Sequence, residues 1–143
     1  MRKRDKQRVF DKVATHLLTQ RQKSTQNSKS YRCVYKNEDG LMCAAGCLIP
    51  NTVVMNDEIN SMSWNTLISR VKNPNPTSYE YDILLSLNQK LPKYLLEDDA
   101  IYFVKTLQDI HDQQQIYDWK EHLQFIADEF GLDSGVLNQF EGE

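Results

Sequence analysis

Apolar residues recur along much of the chain at the three-to-four-residue spacing of an amphipathic α-helix. The first stripe predicts a basic N-terminal helix over about residues 6–21. Its apolar positions are Val9, Phe10, Val13, Ala14, Leu17 and Leu18. Four later stretches, near residues 64–71, 83–91, 98–110 and 119–130, repeat the pattern. The sequence therefore predicts about five helices.

Two neighbouring segments depart from the helical period. Residues 20–30 contain no apolar side chain and predict a polar loop. Residues 31–36, YRCVYK, alternate in character and are rich in aromatic and β-branched side chains, which favours a strand. The NEDG that follows is typical of a turn. We therefore expect a small β-hairpin near residues 31–45 that brings Tyr35 close to Cys43, whereas a shift of one or two residues in register would bring Cys33 there instead.

The segment after the turn fits two structures. Residues 41–49 carry no charge and suit either a buried strand or a short helix, and Pro50 ends the segment in both cases. No internal repeat and no long interior linker divides the chain. Together these patterns predict one mainly helical α+β domain over residues 1–143.

Length and composition are those of an ordinary globular protein, with 143 residues, of which 40% are hydrophobic and 26% are charged. No apolar run approaches the roughly 18 residues of a membrane-spanning helix. A signal peptide needs a continuous apolar stretch of about 7–15 residues, and polar residues interrupt the apolar stripe of residues 6–21. Three cysteines cannot form a complete disulfide framework, which agrees with a reducing compartment. We therefore expect a cytoplasmic protein without a membrane partner.

Charge is distributed unevenly along the chain. Residues 1–36 carry eleven Lys or Arg and two Asp, whereas the rest carries six basic and eighteen acidic residues. Such asymmetry indicates either an anionic partner for the basic third or pairing between the two parts of the chain. Aromatic and basic side chains alternate after residue 30, a mixture that can stack bases and hold phosphates. The candidate binding residues are Arg2, Lys3, Arg4, Arg8, Tyr31, Arg32, Tyr35 and Lys36.

The acidic residues 37–143 bear on which kind of partner the basic residues 1–36 would bind. They would repel a phosphate backbone, so we favour a protein partner and keep a nucleic acid or nucleotide as the alternative. The pattern leaves the oligomeric state open.

A cysteine near the turn is the candidate nucleophile. If a helix begins just after NEDG, Cys43 lies in its first turn, where the helix dipole lowers the pKa of a thiol. His111, flanked by Asp109 and Asp112, is the candidate base. Adjacent side chains diverge on a helix, so we expect the acid that orients this base to come from elsewhere in the chain. The resulting alternative is a cysteine-dependent enzyme.

A metal site is a further alternative, because Cys43 and Cys47 are four residues apart and share a face. Its ligands would be Cys33, Cys43, Cys47 and one of His16, His111 or His122. The spacing lacks the C-x₂-C pair of zinc sites, and buried core thiols are the simpler interpretation. The chain also has no GxxxxGK[ST], GxGxxG, HExxH or GxSxG motif. We therefore expect neither a metal nor another cofactor.

Residues 39–50, DGLMCAAGCLIP, resemble a DGLxCAxGxLIP segment in small uncharacterised proteins of bacteria and their phages. In that group a helix of the VATHLLTQ type precedes the segment, and an LQxIHD segment and a tryptophan follow it. The matching pieces here are residues 13–20, residues 107–112 and Trp119. An acidic residue often follows the LIP of the group, whereas this chain has Asn51. The resemblance implies a bacterial or phage cytosolic setting and no assigned chemistry.

These observations predict a small cytosolic, non-catalytic binding protein. The segregated charge suits recognition of a charged surface, and no convincing catalytic set accompanies it. With the setting that the resemblance implies, the protein would be a phage-encoded factor that binds and modulates a host or phage macromolecule, as in host takeover or counter-defence. The alternatives are an enzyme using Cys43 and His111, and a nucleic acid or nucleotide binder using the basic third.

Overall fold

The computed structural model describes residues 1–27 and 30–140, and its long helices follow the hydrophobic stripes of the sequence. The α-helices are α1 (Lys3–Gln20), α2 (Asp57–Asn60), α3 (Trp64–Lys72), α4 (Tyr81–Lys90), α5 (Asp98–Gln113) and α6 (Trp119–Phe130). Short 3₁₀ helices span Gly46–Leu48, Lys93–Leu96, Ile116–Asp118 and Gly135–Gln139. The prediction of a mainly helical α+β fold is confirmed. Within the described ranges, all α-helices except the four-residue α2 match predicted ones.

Local sequence accounts for several helix ends. The hydroxyl oxygen of Ser63 accepts the backbone N–H of Thr66 at 3.2 Å and so satisfies one free donor at the start of α3. Gly131 follows α6 with a φ of 66°, a left-handed conformation that only glycine adopts without strain. Over the residues that the structure describes, no helix combines the length and apolar character needed to cross a bilayer.

The long helices bury their apolar stripes in one hydrophobic cluster. Each of the five contributes a fully buried side chain, and examples in chain order are Phe10, Leu67, Leu87, Phe103 and Trp119. Helix α1 packs against α5 and α6, and α3 packs against α4 and α5. Burial of apolar area contributes roughly 25 cal/mol per Å² and is the main favourable term for such a core.

The small sheet lies earlier in the chain than its residues predict. Strands β1 (Thr25–Asn27) and β2 (Ser30–Cys33) pair antiparallel, with Thr25 opposite Cys33. The prediction that residues 20–30 form only a loop is wrong, since β1 lies within them; residues 28 and 29 lie outside the described residues. Strand pairing uses backbone groups, so a polar segment can join a sheet without an apolar pattern.

The predicted NEDG turn is present. The N–H of Asn37 donates to the carbonyl oxygen of Leu41 at 2.9 Å. The backbones of Lys36 and Met42 pair across the turn as an isolated antiparallel β-bridge. The expected proximity of Tyr35 and Cys43 is confirmed, because the Cys43 N–H donates to the Tyr35 carbonyl oxygen at 3.2 Å. Beyond this point the chain forms neither a strand nor an α-helix but turns into the 3₁₀ helix before Pro50.

Candidate functional site

The last turn of α5 places His111 in the interior, where its side chain is fully buried. The backbone N–H of Ser24 lies 2.9 Å from the ring Nε2. A backbone N–H can only donate, so Nε2 must accept, and the ring proton therefore resides on Nδ1. This Nδ1–H donates to Oδ1 of Asp112 at 2.8 Å. The ring also stacks on Trp119, with centroids 5.6 Å apart, so both ring nitrogens and one ring face are in contact with other residues.

The pairing of His111 with Asp112 corrects the expectation that adjacent side chains on a helix cannot meet. The two residues occupy the end of α5, which finishes at Gln113. Nδ1 is the ring nitrogen nearer to the backbone, and Oδ1 of the short Asp112 side chain lies 2.8 Å from it. Sequence adjacency is therefore no barrier here.

Asp112 is the centre of a hydrogen-bonded cluster that joins three parts of the chain. Its Oδ1 accepts from the Gln108 side-chain amide at 2.6 Å, and its carboxylate also accepts from the thiol of Cys33 at the end of β2. The Oε1 of Gln108 in turn accepts the backbone N–H of Ala45 at 2.8 Å. Ligand atoms of Cys33, His111 and Asp112 all lie within 4.8 Å of one another.

Burial and neighbouring charge keep the thiols protonated. Burial, together with the negative charge and hydrogen bond of Asp112, raises the pKa of Cys33 to about 12. Burial raises the pKa of Cys47 to about 12 and also raises the pKa of Cys43 above its ordinary value. A thiolate is the nucleophilic form of cysteine, so no thiol here is activated for attack at neutral pH.

The structure does not place Cys43 where the enzyme alternative needs it. The Cys43 side chain is 1% exposed, and its Sγ accepts the backbone N–H of Gly46 at 3.3 Å. Both ring nitrogens of His111 are engaged by Ser24 and Asp112. The cysteine beside His111 is Cys33, and it hydrogen-bonds the carboxylate. A nucleophile, base and acid in series are therefore not formed.

The three-cysteine metal alternative is not assembled either. Among the residues that the structure describes, the potential ligands brought together are Cys33, His111 and Asp112. Cys47 lies in the core, where its thiol donates to the Ala44 carbonyl oxygen at 3.1 Å.

The candidate binding residues divide into exposed and buried groups. Those at the start of α1 are exposed: Arg2, Lys3, Arg4 and Arg8. Arg32 is exposed as well, whereas the side chain of Tyr31 lies outside the described residues. Tyr35 is buried, and its hydroxyl donates to the Met62 carbonyl oxygen at 2.7 Å, so its ring cannot stack on a base.

Lys36 also differs from the prediction of a phosphate-binding residue. It is half-buried, and its Nζ donates to the backbone carbonyl oxygens of Ile49 at 3.2 Å and Pro50 at 3.3 Å. Burial lowers the pKa of Lys36. Its ammonium therefore holds two backbone segments together rather than facing a ligand.

A small cavity adjoins this hydrogen-bonded cluster around Asp112, on the side of Cys33 and Gln108. It has a volume of about 80 Å³, and Cys33, Gln108, Asp112 and Trp64 are among its lining residues. Trp64 is 4% exposed, and its indole N–H finds no acceptor in the described part of the chain. A buried donor without a partner is uncommon and costs roughly 1–3 kcal/mol.

Sequence reasoning missed four members of this site: Ser24, Gln108, Asp112 as the partner of His111, and Trp64. One signal was available, since Gln108 and Asp112 are four residues apart, the spacing at which two residues share one face of a helix. The other contacts join residues that are far apart in the sequence, so no residue spacing indicates them.

Comparisons with protein-family models, curated proteins and solved structures find no match for this chain.

Proposed function

We propose that the protein is a non-catalytic binding protein that recognises an acidic segment of a protein partner through the exposed face of α1. The single observation that carries this proposal is a basic row beside an apolar groove. Arg4, Arg8 and Lys12 follow one another at four-residue spacing on α1, and all three are exposed. Arg2 and Lys3 extend the positive charge to the start of the helix.

The groove has a volume of about 290 Å³ and a mixed lining. Arg8 and Lys12 contribute positive charge at this groove. Its apolar lining comes from Val9, Leu48, Pro50, Pro92, Tyr94 and Leu95. A segment that combines carboxylates with apolar side chains complements both features at once.

A protein partner suits this surface better than a nucleic acid does. Phosphate binding favours a continuous positive field, yet the second basic region places Arg32 in a groove with Glu38, Asp57 and Glu58. The side chains of Tyr35 and Lys36, which were candidates for contact with bases and phosphates, are engaged within the protein. The protonated, largely buried thiols likewise give little support to the enzyme alternative.

The resemblance of residues 39–50 to segments of bacterial and phage proteins suggests a setting for this activity. In that setting the partner would be a host or phage macromolecule in the bacterial cytoplasm, and binding would modulate it.

The test reverses the basic row as Arg4→Glu, Arg8→Glu and Lys12→Glu in one variant. A matched control reverses Arg70, Lys72 and Lys105, which are exposed on α3 and α5. Proteins captured by cross-linking in bacterial lysate are compared among wild type, variant and control after nuclease treatment. Circular dichroism first establishes that both variants fold.

We expect a captured protein with an acidic segment that wild type and control retain and the basic-row variant loses. With the purified partner, the variant should bind at least about tenfold more weakly, and salt should weaken the wild-type complex. Equal capture by wild type and variant would contradict the proposal. Capture that nuclease abolishes would favour the nucleic acid alternative instead.

A further inference from the structure

We propose that the groove beside α1 binds a second copy of this chain. In the resulting two-fold dimer, residues 54–58 of each copy occupy the groove of the other. The inference rests on the proposed function, because it names an occupant of the same groove. That groove has a volume of about 290 Å³ and combines the positive charge of Arg8 and Lys12 with an apolar lining. Its occupant must therefore present carboxylates beside apolar side chains.

Residues 54–58, VMNDE, have the chemistry that the groove requires. The Val54 side chain is 81% exposed, and the neighbouring Met55 is partly exposed. Asp57 and Glu58 follow at the start of α2, and both are exposed. An aliphatic side chain so open to water gains free energy when a partner covers it. One short surface segment thus offers an apolar contact and two negative charges.

The surroundings of this acidic segment strengthen its negative charge. Asp57, Glu58 and Glu38 line one surface cavity together with Arg32 and Lys36. The ammonium group of Lys36 donates to two backbone carbonyl oxygens, at 3.2 and 3.3 Å. Three carboxylates therefore outnumber the cations here, whereas the basic row of α1 carries three positive charges. Opposite charges on two surfaces of the same molecule favour association between copies.

A tight turn places the segment beside the groove of its own copy. Leu48 and Pro50 line the groove, and the Val53 N–H donates to the Pro50 carbonyl oxygen at 3.0 Å. This hydrogen bond is typical of a β-turn, in which the first and fourth Cα atoms lie within about 7 Å. Val54 is one residue further on, so its Cα lies within roughly 11 Å of that of Pro50. Val54 and Met55 line a different cavity, of about 530 Å³, so the segment does not fill its own groove.

The proximity of groove and segment makes this surface self-complementary. A two-fold rotation about an axis near the turn at residues 50–53 exchanges the grooves and the acidic segments of the two copies. Both contacts then form together and close the interface, so association stops at the dimer. A groove and a segment on opposite sides of the molecule would instead produce open chains.

The test compares two charge-reversal variants, alone and mixed, by sedimentation velocity from low to high micromolar concentration. The basic-row variant carries Arg4→Glu, Arg8→Glu and Lys12→Glu, and the acidic-segment variant carries Asp57→Lys and Glu58→Lys. We expect wild type to form dimers. Each variant alone should dimerise at least about tenfold more weakly, because like charges then meet at both contacts. An equimolar mixture should recover the dimer, because the reversed row meets the reversed segment and the two native elements meet each other.

Matched controls separate this interface from general effects of charge and apolar surface. Glu121→Lys with Glu129→Lys reverses two exposed charges on α6 and should leave the dimer unchanged. Val54→Ser should weaken the dimer, and the exposure of this side chain means that the fold does not depend on it. Tyr79→Ser changes a fully exposed side chain elsewhere and should have no effect. Circular dichroism establishes that each variant folds.

A monomeric wild type, a dimer that survives both reversals, or a mixture that stays monomeric would overturn this interface. The proposed function fails separately, when wild type and the basic-row variant capture the same proteins from lysate. The acidic-segment variant keeps its groove intact. It should therefore capture an acidic partner at least as well as wild type does, since no second copy then competes for the groove.

Discussion

Replacement of Gly46 by alanine should destabilise the protein through a clash between two backbone segments. Gly46 begins the 3₁₀ helix after the NEDG turn and is buried against the backbone of Tyr35. A Cβ atom at this position would overlap the carbonyl oxygen of Tyr35 and lie 2.8 Å from its carbonyl carbon. Both are backbone atoms, so no change of rotamer relieves the contact, and the two segments must move apart.

The size of the effect follows from what that movement breaks. Overpacking in a dense interior costs about 1–3 kcal/mol. Separation also strains the hydrogen bond from the Cys43 N–H to the Tyr35 carbonyl oxygen, and a buried donor left unpaired costs about 1–3 kcal/mol. Alanine restricts the unfolded chain and returns about 0.4–1 kcal/mol. We therefore expect Gly46→Ala to lower the free energy of unfolding by about 3 kcal/mol.

Urea unfolding at equilibrium measures this change, with the fluorescence of the buried Trp64 and Trp119 as the signal. Gly135→Ala is the matched control, because a Cβ there meets only the exposed side chain of Asp133, and a rotation of that side chain relieves the contact at the cost of one exposed hydrogen bond from the Gly135 N–H. The control should change stability by less than about 1 kcal/mol. A Gly46→Ala variant within about 0.5 kcal/mol of wild type would refute the reasoning, since the turn would then be free to adapt.

Three further changes test other parts of the structure. Loss of the α3 cap in Ser63→Ala should lower the free energy of unfolding in urea by about 1 kcal/mol; no loss would mean that the bond to Thr66 is not stabilising. Burial lowers the pKa of His16 in the folded protein, so on acidification His16 is protonated in the unfolded chain before it is protonated in the folded one. The free energy of unfolding should therefore fall as the pH drops below about 6.5, and it should fall less in His16→Gln than in wild type between pH about 7 and about 5. Parallel pH profiles of the two proteins would contradict this. Iodoacetamide at neutral pH should modify Cys43 and Cys47 only as the protein unfolds, as followed by mass spectrometry, and rapid modification of the folded protein would show that these thiols are accessible.

The helices were accessible to sequence reasoning because their signal is local. The apolar residues of α1 recur every three to four positions, and each of them from Val9 to Leu18 is buried in the structure. Ser63 and Gly131 act through backbone groups only a few residues away, so their roles follow from position alone. The sheet was harder to predict, because β1 is polar and is held by backbone bonds that leave no side-chain pattern.

The cluster of Cys33, Ser24, His111 and Asp112 could not be predicted, because its contacts join residues that are far apart in the sequence. Cys33 ends a strand, Ser24 precedes one, and His111 lies in the last turn of α5, so only the packing of the chain brings them together. Its position after the turn made Cys43 the candidate nucleophile of the enzyme alternative, whereas the simpler interpretation was a buried core thiol, and the fold buries Cys43. The pairing of His111 with Asp112 depends on side-chain rotamers at a helix end, which residue types do not specify.

The sequence by itself determined the mainly helical fold, the turn that joins Tyr35 to Cys43, and the concentration of positive charge in the first third of the chain. These features depend on neighbouring residues and on composition. The tertiary structure alone decided which side chains meet: it turned Tyr35 and Lys36 inward, set the basic row of α1 beside an apolar groove, and gathered Cys33, His111 and Asp112 around one point. Such contacts depend on the packing of distant segments, and the period of a helix or strand carries no information about that packing.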